Sequence, residues 1–297
     1  MRFFDAEAIA ELGPTAAVRA ITDAIAAGLD PSSDPPRSAV PLAAGQFLLM
    51  PSETPAAAGV KVVTVAPDNP ARGLPRVQAA YLLFDRETLA LRAVLDGTAL
   101  TTLRTPAVSV AAVRSHLPDR ALRVAAIGAG PQAVGHVLAF AALRPLAAAT
   151  HLVRDPSRTD LEAVRLGSAQ ADETLGAADV VVCATSARTP LFDSAVIRDD
   201  AVVIAVGSHE ADARELDGAL LGRASVVVED ATTALREAGD VVLAIADGVL
   251  DAADLTPMRA VLDGEVNLPH DRPLVFKSVG MAWQDLVVAE AVVERHV

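Results

Sequence analysis

Arg123-Val124-Ala125-Ala126-Ile127-Gly128-Ala129-Gly130-Pro131-Gln132-Ala133 is the stretch that decides the fold. A short apolar strand runs directly into a small-residue turn, and an apolar helical stretch follows over 132–143. The pattern G-x-G-x-x-A is weak alone, but a strand before it and a helix after it are the context of a dinucleotide-binding turn. Gly128 permits the tight turn, Gly130 lets the backbone approach a pyrophosphate, and Ala133 lets helix and strand pack closely. The free N–H groups and partial positive charge of the helix start then face the phosphates. Gly128, Gly130, Pro131, Gln132 and Ala133 are therefore the expected cofactor turn.

Working outward, a second strand is expected at 149–153, followed by a charged helix. Asp179–Thr185, Ala201–Gly207 and Ser225–Asp230 are further continuous apolar runs. Such runs suit a parallel sheet buried on both faces. The helix between the second and third strands is short, which predicts a sheet lacking one strand. Before Pro118 the pattern differs. Residues 5–28 have helical spacing, with Asp5 and Thr15 as expected caps. After the Pro31–Pro36 loop come strand-like runs at Val40–Leu42, Gln46–Met50, Val60–Val65, Gln78–Phe84 and Leu91–Leu95. Serial strands without intervening helices predict an antiparallel or mixed sheet. The Ala-rich stretch 97–117 is expected to be helical. The prediction is an α/β protein: a Rossmann-type parallel-sheet domain over 120–272, and an α+β domain over 1–119 completed by 273–297, with helix 282–295 returning to it.

The residue after the second strand selects the dinucleotide. An NAD enzyme places an acid there for the ribose 2′-hydroxyl. Here it is Arg154, followed by Asp155, Ser157 and Arg158. Arg154, Ser157 and Arg158 predict a clasp for the 2′-phosphate of NADP, because guanidinium matches phosphate geometry. Asp155 leaves NAD open.

Composition excludes several classes. The net charge of −13 argues against nucleic acid as partner. No apolar run reaches the ~20 residues of a membrane span. The opening Met1-Arg2-Phe3-Phe4-Asp5 lacks the apolar stretch of a signal peptide, and the single cysteine, Cys183, lies in an apolar strand. A buried thiol and a cytoplasmic location are expected. The basic residues number 25, of which only Lys61 and Lys277 are lysines. A lysine kept in a chain that otherwise uses arginine suggests a compact or titrating ammonium. Lys61 lies inside the apolar run Gly59-Val60-Lys61-Val62-Val63, Arg104 at a helix start, and Arg37 after a proline-rich loop. The three either converge on a substrate carboxylate or are separate surface charges.

These stretches resemble the ornithine cyclodeaminase/mu-crystallin family. The resemblance is carried by Gly59-Val60-Lys61-Val62-Val63, Pro67-Asp68-Asn69-Pro70, Leu100-Thr101-Thr102-Leu103-Arg104-Thr105 and the dinucleotide turn. It continues through Val206-Gly207-Ser208-His209, Arg214-Glu215-Leu216-Asp217, Glu237-Ala238-Gly239-Asp240 and Phe276-Lys277-Ser278-Val279-Gly280-Met281-Ala282 with Gln284-Asp285. The resemblance implies a homodimer whose first domain holds the substrate and the subunit contact. It implies that Arg37, Lys61 and Arg104 bind a carboxylate, that Lys61 is an acid-base residue, and that Thr105 and Ser278 lie near the cofactor. Cyclodeaminases of the family carry an acid where this chain has His209, which becomes a candidate catalytic residue here. The expected activity is NAD(P)H-dependent reduction of small cyclic imino acids such as pyrroline- or piperideine-2-carboxylate. The alternatives are an alanine dehydrogenase-like activity, ornithine cyclodeamination, disfavoured by His209, and cofactor-dependent ligand binding without catalysis.

Overall fold

A computed structural model of the chain describes residues 1–296. It divides into two compact units, one comprising Met1–Ala107 and the segment from Met281, the other Val108–Gly280.

In the first unit the described residues form a six-stranded mixed sheet. Ser38–Leu42, Gly45–Glu53, Ala57–Val65, Val77–Asp85 and Leu91–Asp96 pair antiparallel in that order. Arg2–Phe4 adds in parallel to Leu91–Asp96, a strand too short to leave a periodic signal. Ala57–Val65 alternates buried and half-buried positions, so one face of the sheet lies inward and carries Ala57, Gly59, Lys61 and Val63. The C-terminal helix Ala282–Arg295 packs on this face, against the strands 45–53 and 57–65, and also against the helix Gly13–Ala26. Asp5 caps the short helix Ala6–Ala10 by accepting from Ala8 N at 3.0 Å. Thr15 caps nothing: the next helix already starts at Gly13, with Leu12 at its cap position.

In the second unit the described residues form an eight-stranded sheet. Its order is Leu255–Pro257, Ser225–Val228, Leu274–Lys277, Val202–Ala205, Val180–Cys183, Leu122–Ile127, Leu146–Val153 and Ala163–Arg165, all parallel. The expected Rossmann architecture is present, with three corrections. No strand is missing beside Leu146–Val153, because three residues, Ala163–Arg165, form a short edge strand there. The boundary also moves from 272 to Gly280. Leu274–Lys277 inserts between two earlier strands of the sheet, a non-local pairing invisible in the local pattern. At the other end, the boundary falls at Ala107 within the helix Gly97–Val113, rather than at 119. Cys183 is buried, and burial pushes its thiol well above the ordinary value. No helix among the described residues is long and apolar enough to cross a membrane.

Candidate active site

Lys61 reaches inward from the centre of its strand. Its neighbours in register are Met50 and Tyr81, so all three share the face covered by the C-terminal helix. Lys61 Nζ lies 2.7 Å from Asp285 Oδ2, with side-chain exposures of 3% and 0%. Lys61 also donates to Thr101 Oγ1 at 3.4 Å. Arg104, buried on the helix Gly97–Val113, donates from Nη1 to Gln284 Oε1 at 2.7 Å, and its Nε lies 3.4 Å from Asp285 Oδ1. The structure thus brings Lys61 and Arg104 to one carboxylate. Burial pulls the Lys61 ammonium down from 10.5 to about 8; Asp285 opposes the shift, while Arg104 and Arg37 add to it. Arg37, half-buried, is close enough to act electrostatically on Lys61. Arg37, Lys61 and Arg104 together form a cluster of positive charge that suits an anionic substrate, and Lys61 is an amine able to exchange a proton.

Asp285 and Gln284 were not singled out as site residues by sequence reasoning. The available signal was a pair of adjacent polar residues inside an apolar helical run, Ala282-Trp283-Gln284-Asp285-Leu286-Val287-Val288-Ala289, every one of which is buried. Burying an acid in such a helix requires a partner, and Lys61 and Arg104 supply it.

The second unit builds a dinucleotide site. Gly128 has φ +120°, and a Cβ there would lie 2.8 Å from Ala184 O, so the turn needs glycine. Gly130 caps the helix Pro131–Leu143 with no side-chain hydrogen bond, and a Cβ there would meet open space. The first N–H groups of a thirteen-residue helix therefore face an uncluttered approach. Ala133 is fully buried beneath Gly128. Gln132 lends its carbonyl oxygen to His136 Nδ1 at 2.7 Å, and burial pulls His136 down to about 4, a neutral imidazole. A cavity of about 1080 Å³ opens beside the turn, lined among others by Gly128, Arg154, Asp155, Arg158 and Arg188. These features fit a dinucleotide.

The remaining sequence-selected positions are placed as follows. Arg154 is the first residue after the strand ending at Val153. Asp155 caps the short turn Pro156–Arg158, accepting from Ser157 N at 3.1 Å and Ser157 Oγ at 2.7 Å. The Ser157 hydroxyl proton is thereby directed to Asp155. Ser278 is buried and donates to Glu229 Oε1 at 2.8 Å, so its hydroxyl secures the turn at 278–280, where Glu229 also accepts from Val279 N and Gly280 N. Thr105 is buried in the first unit. His209 is exposed on a loop of the second unit, next to the buried Ser208.

The model of the ornithine cyclodeaminase/mu-crystallin family matches residues 7–297. The chain is 36% identical over 262 residues to a Delta(1)-pyrroline-2-carboxylate/Delta(1)-piperideine-2-carboxylate reductase of Azospirillum brasilense, covering 85% of this chain and 81% of the relative. Among solved structures it resembles the Delta(1)-pyrroline-2-carboxylate reductase of Thermococcus litoralis in complex with NADH and L-proline. That likeness has a TM-score of 0.88 at 26% identity and covers 99% of this chain and 97% of the other. An archaeal alanine dehydrogenase dimer with bound NAD is similar at a TM-score of 0.86 and 25% identity, covering 100% and 97%.

Proposed function

Because the chain belongs to the ornithine cyclodeaminase/mu-crystallin family, we propose that it reduces small cyclic imino acids of the pyrroline- or piperideine-2-carboxylate kind at C=N. The observation that carries this reading is the buried Lys61–Asp285 pair beside Arg104. A bound nicotinamide supplies the hydride for the imine carbon. Arg104, Arg37 and Lys61 hold the substrate carboxylate, the arginines by their paired donors. Lys61, with its pKa lowered to about 8, holds a proton for the nitrogen near neutral pH. Asp285 keeps Lys61 and Arg104 turned toward the same point. His209, at the sequence position where the family's cyclodeaminases carry an acid, is proposed as a second proton carrier.

The test is a substrate panel: imino acids, pyruvate with ammonia, and ornithine, each with both nicotinamide cofactors. Turnover of imino acids well above the rest is expected. A preference for pyruvate with ammonia would transfer the reading to an alanine dehydrogenase. Release of ammonia from ornithine would make the protein a cyclodeaminase, and binding without turnover a ligand carrier.

The dinucleotide is proposed to be NADP. Arg154 and Arg158 line the cavity beside the glycine turn, and the one acid there, Asp155, is already occupied in capping its own loop. Arg154→Asp is expected to raise KM for NADPH about tenfold while changing that for NADH little, in line with ~1.5 kcal/mol for a hydrogen bond to a charged group. Equal losses for both cofactors in steady-state assays would rule out the clasp.

The protein is further proposed to be a homodimer. On the sheet face opposite Lys61, Phe47, Leu49, Val60, Val62, Leu82 and Phe84 are half-buried and apolar. A continuous apolar face of this kind marks an interface. Sedimentation is expected to give twice the chain mass, and Val62→Arg to give a monomer; a wild-type monomer at micromolar concentration refutes the assignment.

A further inference from the structure

Asp34 lies outside the groups described so far, at the end of the short turn Pro31–Ser33. Its carboxylate is fully engaged on two sides. Ser52 Oγ donates to Asp34 Oδ1 at 2.6 Å, and the backbone N–H of Trp283 donates to Asp34 Oδ2 at 2.6 Å. Trp283 is the second residue of the fourteen-residue helix Ala282–Arg295, whose own cap residue, Met281, provides no side-chain hydrogen bond. Asp34 therefore supplies, from 249 positions away in sequence, the N-cap that the helix lacks. A carboxylate there also complements the positive end of the helix dipole.

The two residues after Trp283 are Gln284 and Asp285, which hold Arg104 and Lys61. In the other direction along the chain, Pro35 and Pro36 lead from Asp34 to Arg37. Proline fixes φ, so this link transmits position with little slack. One carboxylate thus anchors both the helix start that orients Lys61 and Arg104 and the loop that presents Arg37.

We infer that Asp34 is a positioning residue, which assembles the three cations into one carboxylate-binding group without touching the substrate. This rests on the reading of Arg37, Lys61 and Arg104 as the substrate's anchor. The charge on this anchor is pH-dependent. Burial raises Asp34 from 3.8 to about 6, opposed by the Ser52 and Trp283 hydrogen bonds and reinforced by Asp285. Asp285 faces it from the helix, the strand Val77–Asp85 contributes the Tyr81 phenol, the strand Gly45–Glu53 the neutral Ser52, and its own loop carries Arg37. As pH falls through about 6, Asp34 gains a proton and the Trp283 N–H then meets a neutral acceptor; because the raised value means that the buried place favours the protonated acid, this changes the field at the helix start without releasing the segment.

The experiment compares wild type with Asp34→Asn and Asp34→Glu. Trp283 is the sole tryptophan, so intrinsic fluorescence reports on the anchored helix start. In wild type the emission is expected to shift between pH 7.5 and 5; Asp34→Asn should lack that shift and sit at the low-pH value throughout. KM for the imino acid is expected to rise about tenfold in Asp34→Asn at pH 7.5, with kcat within about twofold and KM for the dinucleotide unchanged. Asp34→Glu should recover part of the loss. Unchanged imino-acid KM, or parallel losses of kcat and dinucleotide affinity, overturns the inference. If wild type turns over no imino acid, the proposed function fails instead. The fluorescence arm then decides Asp34 alone: a pH shift that persists in Asp34→Asn overturns its role, and a lost one upholds it.

Discussion

Lys61→Arg is expected to lower kcat about a hundredfold on the best imino-acid substrate, the lower range for a general acid-base group. The replacement keeps the positive charge beside Asp285 and can still bind a carboxylate. What it removes is a proton that can leave near neutral pH, because arginine stays protonated at any accessible pH. In wild type, burial brings Lys61 down to about 8. Below that pH the ammonium is present and can donate; above it the donor fraction falls, by about tenfold for each further pH unit. The wild-type rate should therefore decline above about pH 8, and Lys61→Arg should lack that decline. Lys61→Met, which leaves Asp285 with Arg104 alone, should lose substrate binding and turnover together. Cofactor fluorescence titration separates these effects from misfolding. If Lys61→Arg keeps its kcat and only KM rises, Lys61 is a carboxylate clamp and the proton comes from water or His209.

The parts of this protein that were legible in sequence are those with a local signature. Gly128 and Gly130 could be read because a turn's backbone demands are met by neighbouring residues, and the apolar runs 180–183 and 202–205 because a strand buried on both faces needs no partner to be identified. Lys61 was legible because a charge inside an apolar strand is anomalous. The residues that orient it were not. Asp285 is 224 positions from Lys61, and Asp34 is 249 from the amide it caps. Asp285 shows in sequence only as one of two adjacent polar residues in an apolar helical run, and Asp34 as an ordinary loop residue. Burial supplies their meaning, and burial depends on tertiary packing. Leu274–Lys277 illustrates the same limit for topology: the run is visibly a strand, yet its place between Val202–Ala205 and Ser225–Val228 follows from pairings of high sequence separation. Ser278 marks a further limit, since a motif position can be recognised without revealing that its hydroxyl is turned toward Glu229.

Asp240→Ala is expected to cost about 3–5 kcal/mol of stability, the range for leaving one member of a buried ion pair uncompensated. Lys277, the second of the chain's two lysines, explains why. Its Nζ lies 2.9 Å from Asp240 Oδ2 with both side chains fully buried, and it donates to the carbonyl oxygen of Ser208. Asp240 also accepts from the N–H groups of Glu215 and Leu216 at 2.7 and 2.8 Å. Glu215 in turn accepts from Thr185 N, Thr185 Oγ1 and Gly207 N. Burial raises the pKa of Glu215, an effect that Lys277 and these hydrogen bonds oppose. The network ties the loops that follow Val180–Cys183 and Val202–Ala205 to the end of the neighbouring strand Leu274–Lys277, the end of such a sheet where dinucleotides bind. Removing Asp240 strands both an ammonium and two backbone donors in the interior, and a domain stable by about 5–15 kcal/mol can lose a third of its margin. Lys277→Met combined with Asp240→Ala should be less damaging than the two single losses added, because the buried cation is gone. The stranded N–H groups of Glu215 and Leu216 remain, so the double variant should still fall short of wild type. Urea unfolding at pH 7.5 decides it: an Asp240→Ala variant within about 0.5 kcal/mol of wild type, the range of an ordinary surface change, would show that the pair carries no such load.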